Sequence, residues 1–360
     1  MTTAAVAMTT PHEVALLRLV AQRIAGPPQP DAAAAVRWLT AVQGQDYPGA
    51  LTSVALRTAD RSRDGVVKAL DSGEVVRAWP MRSTLHLVAA EDLGWLLVLC
   101  GPRVLAGAAR RRAQLGLDER DTERARELAV AALESGRRLT RAALLAAFTA
   151  GGVDVTGQRG YHLLWYLTQT GTLVLGPTDG AEQLFVLAGE WITCPRRLDT
   201  AEALAELALR FFRGHGPATV ADLARWAGLR ITDARAGLAQ VRDRLAAVDV
   251  GGIEHLLDPA TPDLLAACRR EAEGVFLLPG FDEFVLGYAD RSCAVPARFA
   301  DRIVPGGNGM FRATVVSDGQ VVGTWRRTGT GARRRITAEP FTAFPDTVTR
   351  ALDGLAAVLP

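Results

Sequence analysis

Residues 140–187 decide the fold and read TRAALLAAFTAGGVDVTGQRGYHLLWYLTQTGTLVLGPTDGAEQLFVL. Thr140 has the side chain of a helix cap, and the glycine pair just after Thr149 stops the helix. A second helix is predicted over 158–169, where leucines recur on one side. The apolar runs within 173–187 flank a turn and predict a two-stranded ribbon. Helix, turn, helix and ribbon together are typical of a winged-helix unit.

The same order of elements recurs further along the chain. A helix over 201–213 is expected to end at Gly214, and Thr219 is placed to cap the short helix that follows. Thr232 is expected to cap the next helix, after which 247–257 form a hairpin around a Gly-Gly turn. These residues predict a second unit of the same kind.

The N-terminal third is mostly helical before it changes to strands. Thr10 and Asp31 are placed to cap helices that reach Ala25 and about Val42. Two paired strands are predicted within 75–88. This order suits a third winged-helix unit.

The C-terminal segment 263–360 changes to an alternating pattern, with a predicted hairpin over 311–325 around an Asp-Gly turn. We therefore expect an α+β chain of three tandem winged-helix units followed by an antiparallel β-rich, barrel-like module. The predicted boundaries place the units at 1–115, 116–192 and 193–262, with the module over 263–360.

Composition places the chain among soluble globular proteins. Hydrophobic residues make up 49% and charged residues 22% of the sequence, which excludes wholesale disorder. No apolar stretch reaches the roughly 18–20 residues that cross a bilayer. The N-terminus lacks the features of a signal peptide, so we expect a cytoplasmic protein. The cysteines are far apart and predict neither disulfides nor a zinc site, and we expect no metal and no cofactor.

The basic residues are almost all arginine, since Lys68 is the one lysine in the chain. The net charge of +2 means that any nucleic-acid surface is a local patch. The candidate phosphate contacts are Arg110, Arg111 and Arg112, the pairs 196–197 and 326–327, and the run 333–335. Each run taken alone is more often a solvated face than a contact.

The most unusual polar cluster is Gln43-Gly44-Gln45-Asp46, directly after a predicted helix. Gly44 allows the helix to end, and residues two apart point the same way on an extended chain. Gln43 and Gln45 are therefore predicted to present two carboxamides side by side. The alternative is that they satisfy carbonyls at the helix end and that Asp46 stabilises a turn.

Two further segments carry polar side chains that could have a functional or a structural role. Strand alternation puts Arg82, Thr84 and His86 on one face, and one interpretation is that His86 forms local hydrogen bonds in a wing strand. Asp282 and Glu283 place two carboxylates together, and a structural salt bridge is at least as reasonable for them as catalysis.

Five segments resemble the AlkZ-like winged-helix DNA glycosylases, namely 17–22, 43–46, 81–88, 278–288 and 318–326. Their order and spacing extend over nearly the whole chain. The resemblance implies tandem winged helices wrapped around DNA and hydrolysis of the N-glycosidic bond of N7-alkylated guanine, including guanines crosslinked by natural products. One branch of the family uses a Gln–aliphatic–Gln motif, which Gln43 and Gln45 match and from which Gly44 departs.

The resemblance also implies roles for the site residues. Gln43 and Gln45 would position a water beneath C1′ of the sugar, and Asp46 would supply negative charge near an oxocarbenium-like sugar. The expected DNA-binding residues are Arg82, Thr84, His86, Arg110, Arg111, Arg112, Trp325 and Arg326.

We expect a monofunctional DNA glycosylase without AP lyase activity, built as a monomer. Its partner would be double-stranded DNA carrying N7-guanine adducts, and its role repair or self-resistance against a genotoxic natural product; no membrane partner is expected. The alternative from another class is a non-catalytic winged-helix transcriptional regulator. Release of free base from DNA containing N7-methylguanine separates the two.

Overall fold

The computed structural model of the protein describes residues 7–180, 182–328 and 335–360. The chain divides into two compact units. The split unit combines Met1–Arg63 with Leu204–Pro360, and the inserted unit is Asp64–Ala203. Among the described residues, no helix has the length and apolar character needed to span a membrane.

Helices and antiparallel sheets are both present, which confirms the α+β class. The helices are α1 Pro11–Ala21, α2 Ala32–Leu39, α3 Tyr47–Ala55, α4 Arg63–Asp71, α5 Leu93–Gly107, α6 Ala109–Gln114, α7 Glu119–Leu133, α8 Arg141–Ala150, α9 Arg159–Gln169, α10 Ala188–Trp191, α11 Thr200–His215, α12 Val220–Ala227, α13 Ile231–Val241, α14 Thr261–Ala272, α15 Glu283–Leu286, α16 Ala300–Ile303 and α17 Asp346–Val358. The strands are β1 Ala7–Met8, β2 Ala41–Gln43, β3 Val75–Met81, β4 Thr84–Ala89, β5 Leu173–Asp179, β6 Glu182–Leu187, β7 Ala246–Val250, β8 Ile253–Leu257, β9 Val275–Leu278, β10 Thr314–Ser317, β11 Gln320–Thr328 and β12 Arg335–Pro340.

The split unit is built around the apolar helix α1. Its residues Leu16, Leu19 and Val20 share one core with Leu265 of α14 and Val316 of β10, and all five are buried. Burying each such side chain contributes about 1.5–3 kcal/mol. Because the contacts surround α1, packing within the unit holds this helix more than its intrinsic propensity does.

Two sheets complete the split unit. β7 and β8 form an antiparallel hairpin to which β1 adds in parallel. The other sheet is antiparallel, with the order β12-β11-β10-β9. The predicted antiparallel sheet in the C-terminal segment is thus confirmed, but its order is open in the described part of the chain, and no closed barrel is formed.

The inserted unit contains the antiparallel strand order β4-β3-β5-β6. Its core brings Trp79 of β3 and Phe185 of β6 together with Leu144 and Phe148 of α8 and Leu164 of α9. Helix, helix and hairpin therefore follow each other over α8, α9, β5 and β6, in the order expected from residues 140–187.

Helix starts predicted from capping residues are confirmed at several positions. Thr10, Asp31 and Thr140 each accept a hydrogen bond from the backbone N–H three residues on, at 3.1, 2.7 and 3.1 Å. Thr219 forms a reciprocal capping box with Asp222 at the start of α12. A cap of this kind contributes about 1 kcal/mol and depends on adjacent residues alone, so sequence is enough to find it.

Two helices end earlier than predicted. α1 ends at Ala21 and not at Ala25, and α2 ends at Leu39 and not near Val42. Thr40 has a φ of 68°, a left-handed conformation that stops α2 before the strand β2 begins.

The boundaries predicted for α11 and α13 are also wrong. α11 continues through Gly214 to His215, because this glycine serves close packing and does not stop the helix: a Cβ there would lie 2.8 Å from the carbonyl oxygen of Trp38. α13 begins at Ile231, so Thr232 lies inside the helix and does not cap it.

A buried ion pair connects the two chain segments of the split unit. The two Nη atoms of Arg57 each donate to one oxygen of Asp282 at 2.9 Å, and both side chains are at most 1% exposed. Ser53 also donates to Asp282, at 2.7 Å, while Arg57 donates to Gln22 at 3.0 Å. A bidentate pair whose remaining polar atoms are satisfied is the geometry in which Coulomb attraction offsets desolvation.

The backbone beside this pair is strained. Phe281 has a φ of 61°, which is an outlier for an aromatic residue. Directly after it, Asp282 accepts the N–H of Phe284 at 3.0 Å and so caps α15. Strain of about 1–3 kcal/mol at this turn is offset by the contacts that Asp282 gains.

Acid is expected to remove the stabilisation that Asp282 provides. Burial alone raises the pKa of this carboxyl, but the charge and hydrogen bonds of Arg57, with those of Ser53 and the Phe284 N–H, outweigh it and hold the pKa below its ordinary value. Because the folded-state pKa lies below the unfolded value of about 3.9, the stabilisation is present above that pH and is lost as pH falls through the folded pKa. We expect the urea midpoint of the wild type to drop below about pH 4 more steeply than that of Asp282→Asn.

At pH 7, Asp282→Asn should lower the free energy of unfolding by about 3–5 kcal/mol, since it leaves a buried guanidinium without its charge partner. The control is Glu123→Gln, which removes a carboxylate from the solvent-exposed pair with Arg126 and should leave the midpoint unchanged. The same acid dependence in the wild type and in Asp282→Asn would contradict the role given to this pair.

Candidate functional site

β2 ends at Gln43, and the chain then turns into α3. Oε1 of Gln43 accepts a hydrogen bond from the backbone N–H of Gln45 at 2.9 Å. Because a backbone N–H only donates, this contact fixes the carboxamide with its oxygen toward Gln45 and its Nε2 on the other side. Gln43 is 5% exposed, whereas Gln45 is exposed to solvent. The two carboxamides therefore lie in different environments and are not a matched side-by-side pair.

The backbone of Gln43 is held by the C-terminal segment of the split unit. Its N–H donates to Oε1 of Glu283 at 3.2 Å, and Oε2 of Glu283 accepts from Nε1 of Trp226 at 2.8 Å. Asp282 binds Arg57, and Glu283 binds Gln43 and Trp226. These adjacent carboxylates therefore have structural partners, as expected if their role is structural and not catalytic.

Asp46 precedes α3, but its side chain makes no capping hydrogen bond to that helix. Its Oδ2 lies over Gly49, where an added Cβ would be only 2.4 Å away, and 3.8 Å from the corresponding position on Gly280. The carboxylate therefore occupies space that Gly49 leaves open. The turn-stabilising alternative for Asp46 lacks the hydrogen bond that it requires.

A cleft of about 210 Å³ opens at Asp46. Arg326 and Arg327 of β11 also line it, so positive charge shares the cleft with the Asp46 carboxylate. Ligand pockets usually measure at least about 300 Å³. The cleft is thus better suited to one group of a larger substrate, such as a sugar-phosphate unit, than to a whole small molecule.

Trp325 forms part of the same wall but belongs mostly to the core. It is 8% exposed, and its Nε1 donates to the carbonyl of Leu278 at 2.9 Å. Its neighbour Arg326 is exposed, and Arg327 donates to the carbonyl of Pro360. DNA contact by Trp325 and Arg326 stays a prediction, and Arg326 is the more accessible of the two. In the predicted run 333–335, positions 333 and 334 lie outside the described residues.

In the inserted unit, Arg82 and Ser83 form the two-residue turn between β3 and β4, with Met81 paired to Thr84 across it. Their φ angles are 54° and 56°, the left-handed values that such a turn needs and that cost energy in any residue except glycine. The predicted alternation is therefore wrong for Arg82, which lies in the turn and not on the strand.

His86 of β4 is in contact with Arg82 of this turn. Its Nδ1 lies 2.9 Å from the carbonyl oxygen of Thr84, and its Nε2 lies 3.1 Å from Nη2 of Arg82. Because a guanidinium only donates, Nε2 is the acceptor and Nδ1 carries the proton. His86 is fully buried, so it forms the local hydrogen bonds of one interpretation.

The arginines of α6 adjoin the start of α9. Arg110 and Arg111 are exposed, and Arg111 donates to Oε1 of Gln158 at 2.5 Å. Burial, with the charges of Arg112 and Arg111, holds the pKa of His162 below its ordinary value. Arg111 and Arg112 thus lie close to the start of α9, and phosphate contact by the α6 arginines stays a prediction.

Two other arginines of the inserted unit have internal partners. Arg196 donates to Asp92 at 2.8 Å. Arg159 of α9 forms ion pairs with Asp121 and Asp154. These two guanidinium groups support the fold of the inserted unit.

The predicted residues therefore fall into two groups. Gln43, Gln45, Asp46, Trp325 and Arg326 belong to the split unit, and three of them, Asp46, Trp325 and Arg326, line one cleft. The residues of the inserted unit are Arg82, Thr84, His86, Arg110, Arg111 and Arg112. In the described part of the chain, no group of three His, Cys, Asp or Glu side chains is placed to hold a metal ion.

Sequence reasoning missed the contact between Glu283 and Gln43 and the space that Gly49 leaves for the Asp46 carboxylate. The first depends on an approach between segments that are remote along the chain, whereas Gly49 lies only three residues after Asp46. A carboxylate directly after Asp282 was noted without its partner, because nothing local indicates which backbone N–H it accepts.

A family model described as DNA glycosylase AlkZ-like matches residues 36–359. The chain belongs to this family. The match includes the segment 43–46, the cleft at Asp46 and the whole inserted unit, so the AlkZ-like assignment covers both groups of candidate residues.

Two relatives are similar over most of their length. The chain is 29% identical over 311 residues to an interstrand DNA cross-link repair glycosylase of Streptomyces sahachiroi, covering 82% of each sequence. It also matches the solved structure of Streptomyces sahachiroi DNA glycosylase AlkZ with a TM-score of 0.79 at 24% identity, covering 98% of this chain and 96% of that one. The structural likeness shows that the AlkZ fold is shared.

The strained turn at Arg82 and Ser83 gives a test of stored backbone energy. Ser83→Gly should raise the free energy of unfolding by about 1 kcal/mol, because glycine adopts the left-handed conformation without the Cβ clash. Ser83→Ala keeps the strain and serves as the control. Urea unfolding of the three proteins measures the difference, and equal midpoints for the glycine and alanine variants would contradict strain at this turn.

Proposed function

We propose that this AlkZ-like protein hydrolyses the N-glycosidic bond of N7-alkylated guanine in double-stranded DNA, including bulky or crosslinked adducts of a genotoxic natural product. Family membership supports the reaction class, and the relative that repairs interstrand crosslinks supports the crosslinked adducts. The observation that carries the proposal is the cleft lined by Asp46, Arg326 and Arg327, which directly follows the hydrogen-bonded pair Gln43 and Gln45 along the chain. Self-resistance is the biological role we propose.

The chemistry needs little acid catalysis. An N7-alkylguanine is a cation, and its bond to the sugar is already weakened, so the enzyme must place a water beneath C1′ and stabilise positive charge on the sugar. Gln45 is exposed and carries the carboxamide that would accept from this water. Gln43 directs its Nε2 away from Gln45 and would donate to a sugar or water oxygen. The Asp46 carboxylate would stabilise the oxocarbenium-like sugar.

DNA binding would use both units. We propose that α8, α9, β5 and β6 form one winged helix and that α12, α13, β7 and β8 form another, with the segment 1–115 as a third. Arg82 and Thr84 would contact the DNA backbone at the turn between β3 and β4, where the buried His86 would orient Arg82. Arg110, Arg111 and Arg112 would contact the DNA backbone at α6. In this scheme the protein acts as a monomer at the nucleoid. The proposed segments of the chain are 1–115, 116–192, 193–262 and 263–360.

Removing either carboxamide should stop the reaction without weakening DNA binding. Gln43→Ala and Gln45→Ala should each slow single-turnover release of N7-methylguanine by about 100-fold or more, since the orientation of the water is lost. Gln45→Glu should keep part of the activity, because a carboxylate oxygen still accepts from water. Chromatography of released base measures the rate, and fluorescence anisotropy measures DNA affinity.

Gln320→Ala is the matched control, because it removes a half-buried carboxamide of the same unit that donates to the carbonyl of Cys293 at 2.7 Å. It should leave base release unchanged. Loss of melting temperature in step with loss of activity would show that Gln43 and Gln45 are structural. No base release by the wild type, with sharp affinity for one undamaged sequence, would favour a transcriptional regulator.

Base release should leave an intact abasic site. Strand cleavage by β-elimination needs an amine that forms a Schiff base with C1′. Lys68, the one lysine, lies exposed on α4 and belongs to none of the segments that resemble the family, so it is not expected to supply this amine. We expect DNA breaks only after alkali or heat, and borohydride added during turnover should trap no protein–DNA adduct. An adduct that disappears in Lys68→Ala would overturn hydrolysis by water.

A further inference from the structure

Glu283 is a fully buried carboxylate whose two oxygens have different partners. Oε1 accepts from the backbone N–H of Gln43 at 3.2 Å. Oε2 accepts from the indole N–H of Trp226 at 2.8 Å and lies 3.4 Å from Nε2 of His215. The carboxylate thus lies between an aromatic core and the strand that ends at Gln43.

The surroundings hold Glu283 in one place. His215 is fully buried and stacks on Phe211, with ring centroids 4.8 Å apart and planes 13° from parallel. Trp226 lies beside the same histidine, at 5.1 Å between centroids. Taking a carboxylate out of water is costly unless it is paired and hydrogen-bonded. An apolar residue would fill this space at lower cost, so the carboxylate indicates a need for an acceptor at this position.

The acceptor acts on a segment of the site that has a glycine at its centre. Gly44 follows Gln43 directly, and a glycine gives the backbone more freedom than any other residue. Within the segment, the Gln43 side chain holds the N–H of Gln45. From outside, Glu283 holds the N–H of Gln43. The two hydrogen bonds together fix the orientation of Gln43 and the course of the backbone from Gln43 to Gln45.

We propose that Glu283, supported by Trp226 and His215, is a positioning residue that holds the 43–45 segment in register with the substrate. The proposal rests on the proposed function, because it takes Gln43 and Gln45 as the residues that act on water and sugar. Glu283 does not itself contact the substrate; it acts through the backbone of Gln43.

Glu283→Ala tests this directly. Single-turnover base release should fall by about 10- to 100-fold, as expected when a reacting group moves by about 1 Å, while the dissociation constant for DNA stays within about twofold. Hydrogen exchange of a peptide spanning residues 41–45 should become faster, since the acceptor of the Gln43 N–H is gone. Glu283→Gln keeps one oxygen acceptor and should give an intermediate rate and intermediate exchange.

Asp92→Ala is the matched control. Asp92 is also a fully buried carboxylate that accepts from a tryptophan N–H, that of Trp95 at 2.8 Å, and from a basic side chain, that of Arg196 at 2.8 Å. It belongs to the inserted unit. Its loss should lower the melting temperature in the same way, yet leave base release by the folded protein and exchange of the 41–45 peptide unchanged.

The outcomes separate this inference from the proposed function. If the wild type releases no base, the proposed function is wrong, and if Gln43→Ala and Gln45→Ala keep full activity, the role given to the two carboxamides is wrong. If those variants lose activity while Glu283→Ala keeps the wild-type rate and exchange, the positioning role is wrong. If Glu283→Ala does not fold, Glu283→Gln decides, and a wild-type rate and exchange in that variant also overturn the role.

Discussion

The contact between Arg57 and Asp282 sets the position of everything around the candidate site. It joins residues 225 positions apart and holds α3 against the turn that carries Gly280, Asp282 and Glu283. Asp46 lies at the start of α3, so the approach of Gly280 to its carboxylate depends on this pair. The same turn brings Glu283 to Gln43. One ion pair thus places both the wall of the cleft and the anchor of the glutamine segment.

The split unit places charge where an apolar core would be more stable. Arg57, Asp282, Glu283 and His215 are all buried, and each needs partners to offset the loss of water. Buried ionic groups give little net stability, but they have strict geometric requirements that apolar side chains lack. The strained φ of Phe281 belongs to the same pattern. We interpret this polar core as the means by which a unit made from two distant chain segments holds a few side chains in place.

Local chemistry was sufficient to predict the parts of the fold that depend on neighbours in sequence. Thr140 and Thr219 cap their helices because the donor lies three residues away. The prediction for Gly214 was wrong because its role depends on Trp38, a residue of another helix. The Gln43–Gln45 segment drew attention through its residue types, whereas the orientation of Gln43 depends on Glu283, 240 positions away. Sequence patterns indicate which residues are unusual, and long-range contacts decide what they touch.

The division of the chain also has a consequence for synthesis on the ribosome. Residues 64–203 form one continuous segment and are complete long before the C-terminus is made, so this unit is able to fold while translation continues. Arg57 and Gln43 emerge even earlier, but their partners Asp282 and Glu283 arrive only in the last quarter of the chain. A nascent or prematurely terminated polypeptide that stops before them therefore carries a basic surface without a finished cleft. The anchored glutamine segment is therefore available only after Asp282 and Glu283 have been made.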